Sequence, residues 1–73
     1  MYKYYVVLSG VCDTPNLVST VIINSGVIEV KEKITDKKHI DMIADHMWEK
    51  ADISFKKIIK KSNVHISFYK ELS

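Results

Sequence analysis

Residues 36–50, DKKHIDMIADHMWEK, gather two histidines, three aspartates and a glutamate within fifteen positions. These are side chains that ligate metals and move protons. Their spacing decides between a chemical centre and a solvated helix face. On a helix, His39 and His46 stand about two turns, roughly 10.5 Å, apart along the axis, whereas a bound metal lies only about 2 Å from each nitrogen. The zinc-protease pattern sets histidines four apart with a glutamate after the first, and this stretch departs from it. His46 and Glu49, at i and i+3, supply at most half a metal site. No metal and no cofactor are expected.

Cys12 beside Asp13 invites a nucleophile reading, with His39, His46 or His65 as base. A catalytic cysteine needs a lowered pKa and a positioned base, and nothing in the sequence specifies either. Asp13-Thr14-Pro15-Asn16 has no phosphate-cradling glycine pattern, and no pair of carboxylates is tied to a common cleft. The expectation is a protein that is not an enzyme.

The other concentration of charge is FKKIIKKS, where Lys56, Lys57, Lys60 and Lys61 surround Ile58 and Ile59. On a helix this is a basic face that can follow a phosphate backbone, although lysines near a helix C-terminus also answer the macrodipole. Charge is unevenly spread: residues 1–34 are neutral, 35–52 carry −2 and 53–73 carry +4. All eleven positive side chains are lysine. The lack of arginine weighs against forked recognition of nucleotides or bases.

These side chains need a scaffold, and the size of the chain limits it. Seventy-three residues make one domain, residues 1–73, whose core supplies only about 3–5 kcal/mol without staples or partners. Cys12 is the only cysteine, so there is no intrachain disulfide, and a reducing cytoplasm is the expected compartment. The opening MYKYYVVLSGVC has one lysine and then an apolar run too brief for a secretory leader. No stretch approaches the roughly 20 apolar residues of a membrane helix, so a membrane is not an expected partner.

Period-two alternation predicts a strand over residues 2–9, with Tyr2, Tyr4, Val6 and Leu8 inward and Tyr5 and Val7 outward. Gly10, Asp13, Pro15 and Asn16 then read as a turn. LVSTVII is a second strand, NSG a turn through Gly26, and VIEVKEKI a third strand, forming a hairpin. At Thr35-Asp36 the period becomes helical, with a capping side chain and apolar residues at Ile40, Ile43, Ala44, Met47, Trp48 and Ala51. The register runs on through Phe55, Ile58 and Ile59, which predicts one long helix to Lys61. A separate helix capped by Asp52, or a strand over residues 53–59, is the alternative. A last strand over residues 64–69 sets Val64, Ile66 and Phe68 against His65, Ser67 and Tyr69. The fold class is α+β: a small single-layer antiparallel or mixed sheet in β-β-β-α-β order, packed on one main helix.

The side of the helix away from its apolar stripe carries His39, Met42, His46, Glu49 and Ile53, so two large apolar residues stand where charge is usual. One helix covers one face of a sheet, which leaves Tyr5 and Val7 on a face that a partner or a second copy would cover. The expected function is that of a small non-catalytic interaction or regulatory protein that occupies a partner protein's surface. The candidate protein-binding residues are Met42, His46, Glu49, Ile53, Tyr5 and Val7. The acidic row suggests a basic partner, and self-association into a homo-oligomer is part of this reading. The compact, arginine-free composition suits a phage or mobile-element accessory protein that binds a host factor. The alternative is nonspecific nucleic-acid binding through Lys56, Lys57, Lys60 and Lys61.

Overall fold

The computed structural model describes residues 1–14 and 17–72, and the side chains of all of these except Asp13, Thr14 and Leu17. Strand β1 (Tyr2–Thr14) is followed by β2 (Leu17–Val30), helix α1 (Lys37–Glu49), helix α2 (Ile53–Ile58), a 3-10 turn over Lys61–Asn63, and β3 (Val64–Leu72). The three strands form one antiparallel sheet in the order β2-β1-β3. Among the described residues, no helix is long and apolar enough to cross a membrane.

The α+β class and the antiparallel sheet agree with the sequence, but the element order does not. The expected turn at Gly26 is absent. Gly26 lies within β2 opposite Val6, with an extended φ of 159°, and the β-branched residues on both sides keep the strand running. Strand β1 likewise passes through Gly10 and reaches Thr14, which is in register with Leu17. Pro15 and Asn16, the other residues read as a turn, lie outside the described residues. Two strands, not three, therefore precede the helices.

The sheet owes its arrangement to two shifts of register at the same level. Along β1, Leu8 faces Asn24 but Ser9 faces Ile22, so β2 holds one extra residue, Ile23. On the other side Val7 faces Phe68 but Leu8 faces Ile66, so β3 holds one extra residue, Ser67. Each is a bulge, and each inverts the alternation of its strand. Ile23 becomes buried and Ile22 exposed. In β3, Val64 and Ile66 pack on the core, but Phe68 does not follow them. It turns to the other face and meets the ring of Tyr5 edge-on at 6.4 Å, while Tyr69 turns inward to Tyr4 at 6.3 Å. The expected grouping of Phe68 with Val64 and Ile66 is thus corrected by the bulge at Ser67. The extra residue is held in place by its hydroxyl, 2.8 Å from Ser9 Oγ and donating to Val7 O at 3.4 Å.

The core lies between one face of the sheet and the helices. Tyr4, Val6 and Leu8 of β1 and Ile23 of β2 pack there with Ile43, Met47 and Ile59. Tyr2, the first of the inward row, stays exposed at the strand end. Asp36 caps α1 by accepting from His39 N–H at 3.2 Å. The expected long helix breaks after Glu49: Lys50 closes α1, and Asp52 is extended and accepts from Ser54 N–H at 2.9 Å to start α2. That bond holds the Asp52 carboxyl below its ordinary pKa. The break turns Ile53 and Ile58 outward and carries Ile59 onto Gly10. A Cβ on Gly10 would lie 2.7 Å from Ile23 Cδ1 and 3.0 Å from Ile59 Cγ2, so this crossing depends on glycine for its closeness.

The hydroxyl of Tyr4 joins separate parts of the chain. It accepts from Ile34 N–H at 3.0 Å and donates to Glu71 Oε1 at 3.3 Å, connecting the segment before α1 to the end of β3. Tyr4→Phe keeps the ring but leaves the Ile34 amide without this partner. It should lower stability by about 1–2 kcal/mol in urea unfolding, with the folded-state far-ultraviolet circular dichroism unchanged.

Candidate functional site

The sheet has two open edges, because no strand pairs with the far side of β2 or of β3 among the described residues. Beside the β2 edge, α1 stands off the sheet and leaves a groove. It consists of two hollows of about 470 and 450 Å³ that share Val30, Met42 and Ile43. Ile34 and Ile28 add apolar lining, and charge sits along the rim: Lys31, Glu32 and His39 at one end, Glu29, His46 and Lys50 at the other. Local sequence explains this geometry. The chain leaves β2 after Val30, and Glu32 and Thr35 both bond back to the ring of His39. That ties the connecting segment to the first turn of α1.

His39 is a structural member of this rim. Its Nδ1 accepts from Thr35 N–H at 3.3 Å, which places the ring proton on Nε2, 3.2 Å from Glu32 Oε2. Among the described residues no three His, Cys, Asp or Glu side chains converge as a metal site would require. Cys12 is half-buried in the β1–β2 ribbon.

The six candidate protein-binding residues fall on different surfaces. Met42, His46 and Glu49 share the exposed side of α1, and Met42 and His46 also line the groove. Met42 is 69% exposed, large for an apolar side chain in mid-helix. Ile53 is 67% exposed, but it opens α2 instead of continuing the α1 row, because of the break at Asp52. Tyr5 and Val7 lie on the opposite side of the molecule, on the sheet face that no helix covers. Their neighbours there are Val18, Ile22, Val27 and Phe68, which are exposed and share that face by register; the sequence points to Val18 and Ile22, whereas Val27 and Phe68 were missed. The available signal was LVSTVII, apolar at too many successive positions for a strand buried on one side only.

The basic stretch is partly committed to the chain itself. Lys56 Nζ donates to Glu49 O at 3.0 Å and stands 5.8 Å from the centre of the Trp48 ring. Lys61 pairs with Asp45 at 3.0 Å. Of the four candidate nucleic-acid lysines, Lys57 and Lys60 are the two without such a partner among the described residues. The acidic row is reduced in the same way, since Asp45 is already paired and Asp41 and Glu49 remain exposed.

Compared with protein-family models, with curated proteins and with solved structures, the chain matches none of them. The site is therefore judged on its own geometry. Met42 and Ile53 face water, so Met42→Asp with Ile53→Asp should change stability by no more than about 1 kcal/mol. The aspartate at position 53 gains from the N-terminus of α2, offsetting part of the helix-propensity loss at position 42. A loss above about 3 kcal/mol in denaturant unfolding would place these side chains in the core instead.

Proposed function

We propose that this chain is a small non-catalytic binding protein that acts by taking hold of a partner protein. The observation that carries this reading is the groove between α1 and the open edge of β2. An unpaired strand edge offers a row of backbone donors and acceptors, and an extended peptide can add to it as a further strand. The adjoining hollows then receive side chains from the added segment, and the strand's alternation sends every second one inward. Met42 suits such a wall, because its flexible thioether adapts to varied apolar shapes. His46 and Lys50 on the rim, with Asp41 and Glu49 on the exposed side of α1, offer polar contacts that select among partners. A phage or mobile-element accessory role, with a host factor as partner, is consistent with this mode of action.

The test is capture of partners from the native host, with parallel samples treated with nuclease and washed at increasing salt. The reading expects a protein partner retained after nuclease, and lost with Met42→Asp/Ile53→Asp while that variant stays folded. Capture that depends on nucleic acid would favour the alternative through the lysines. Four phosphate contacts imply roughly a hundredfold loss of affinity between 50 and 200 mM salt, but two contacts only about tenfold. With Lys56 and Lys61 already engaged, a nucleic-acid complex of this chain should follow the weaker dependence. Nuclease-resistant capture that the double variant leaves unchanged would remove the groove from consideration.

A further inference from the structure

The uncovered sheet face meets the groove only along the β2 edge, where Val27 and Glu29 border both, and its chemistry points to a particular occupant. Around Tyr5 and Val7 at the centre of the sheet, register places Val27 beside Tyr5, Phe68 beside Val7, and Ile22 beside Ser9. Val18 extends the row along the ribbon. Among the described side chains, the middle of this patch, around Val7, Val27 and Ile22, carries no charge. The charges of the face lie at its margins: Lys3 and Glu29 pair with each other at 3.7 Å at one end, and Lys70 and the titratable His65 stand on the β3 edge on either side of Phe68, opposite Tyr5 and Ser9. The polar group at the centre already has a partner: Ser9 is buried and its hydroxyl lies 2.8 Å from that of Ser67. Ser25, opposite Val7, and Thr20, opposite Val11, add two exposed hydroxyls to the face, which an occupant must satisfy.

We infer that this face is the interface for a second copy of the chain, the two sheets meeting face to face about a two-fold axis. Such an axis brings each patch onto itself, so a self-docking surface must be free of like charges at its centre. The patch meets that condition around Val7, its charges lying on the margins, whereas the exposed side of α1 would bring Asp41 and Glu49 against their own copies. Area supports the same occupant. Five of the apolar side chains are between 37% and 66% exposed. With Val7 and Leu72 they present on the order of 600 Å² of surface, taking roughly 200 Å² for each such side chain when fully exposed. A stable interface needs about 800 Å² per partner, and the strand backbone and rim supply the remainder. The second copy also covers the ribbon of β1 and β2 beyond Gly10, where β1 has lost its pairing with β3 and a two-stranded ribbon alone is marginal in water.

Sedimentation equilibrium of the full chain tests the inference independently of the groove. The expected mass is about twice 8.4 kDa at concentrations of tens of micromolar and above. Ile22→Lys with Phe68→Lys, both away from the groove, should weaken the dimer by at least about tenfold while far-ultraviolet circular dichroism is retained, and Met42→Asp/Ile53→Asp should leave the mass unchanged. Isotope-filtered nuclear Overhauser spectra of mixed labelled and unlabelled wild-type chains should connect Val27 and Ile22 methyls of one copy to the Tyr5 and Phe68 rings of the other. This readout holds even if the lysine variant does not fold. A monomer at every concentration up to millimolar overturns the proposal. So does a dimer that survives the lysine substitutions, that is lost through the α1 variant, or that lacks these intermolecular contacts.

Discussion

The paired slip of register at Leu8 is the constraint on which the rest of this structure depends. The central strand runs straight through that level, and each neighbour gains one residue against it, Ile23 on one side and Ser67 on the other. Because side chains in a strand alternate with a period of two, one inserted residue exchanges the faces of everything beyond it. Without the slip in β2, Ile22 would occupy the place beneath the helices that Ile23 takes beside Gly10 and Ile59. Without the slip in β3, Phe68 would point inward and Tyr69 outward. Two hydroxyls, Ser9 and Ser67, hold this level together from the uncovered side.

From that constraint follows the distribution of apolar surface. A chain of this length has material for a single layer of helices, and the helices lie over Tyr4, Val6 and Leu8. The bulges decide which aromatic and branched residues remain on the opposite face, and they send Phe68 and Ile22 there. The protein is also elongated, with a radius of gyration of 12.9 Å against about 11 Å for a compact chain of this length. The β1–β2 ribbon, which continues past the end of the pairing with β3, contributes to this shape. The molecule consequently has two surfaces of different character: a groove with mixed charge beside a strand edge, and a flat face with an uncharged centre.

Charge behaves differently in three dimensions than along the chain. The acidic segment over residues 35–52 and the basic segment that follows it look like two separate docking signals, but they fold against each other. Asp45 holds Lys61, and Lys56 reaches the backbone of Glu49 over the ring of Trp48. The helix break at Asp52 makes this possible by turning the basic segment back beside α1. What is left for partners is a smaller net field than the sequence suggests. Exposed pairs of this kind contribute little to stability; their consequence here lies in reducing the charge that each surface presents.

The sequence by itself determined the α+β class, the inward row of β1, the capped start of α1 and its buried stripe. Each of these depends on the period of a short local pattern, and local periodicity survives folding. The exposed positions of Met42, His46, Glu49 and Tyr5 were legible for the same reason. Only the tertiary structure decided that Gly26 stays within a strand, that Asp52 starts a second helix, and that Phe68 and Tyr69 exchange faces. These outcomes depend on partners distant in sequence. A glycine turns or extends according to the strand beside it, a helix stops where its last residues pack better elsewhere, and a bulge exists only relative to the strand it slips against. The groove and the uncovered face belong to this second group, because each is formed where separate elements meet or fail to meet.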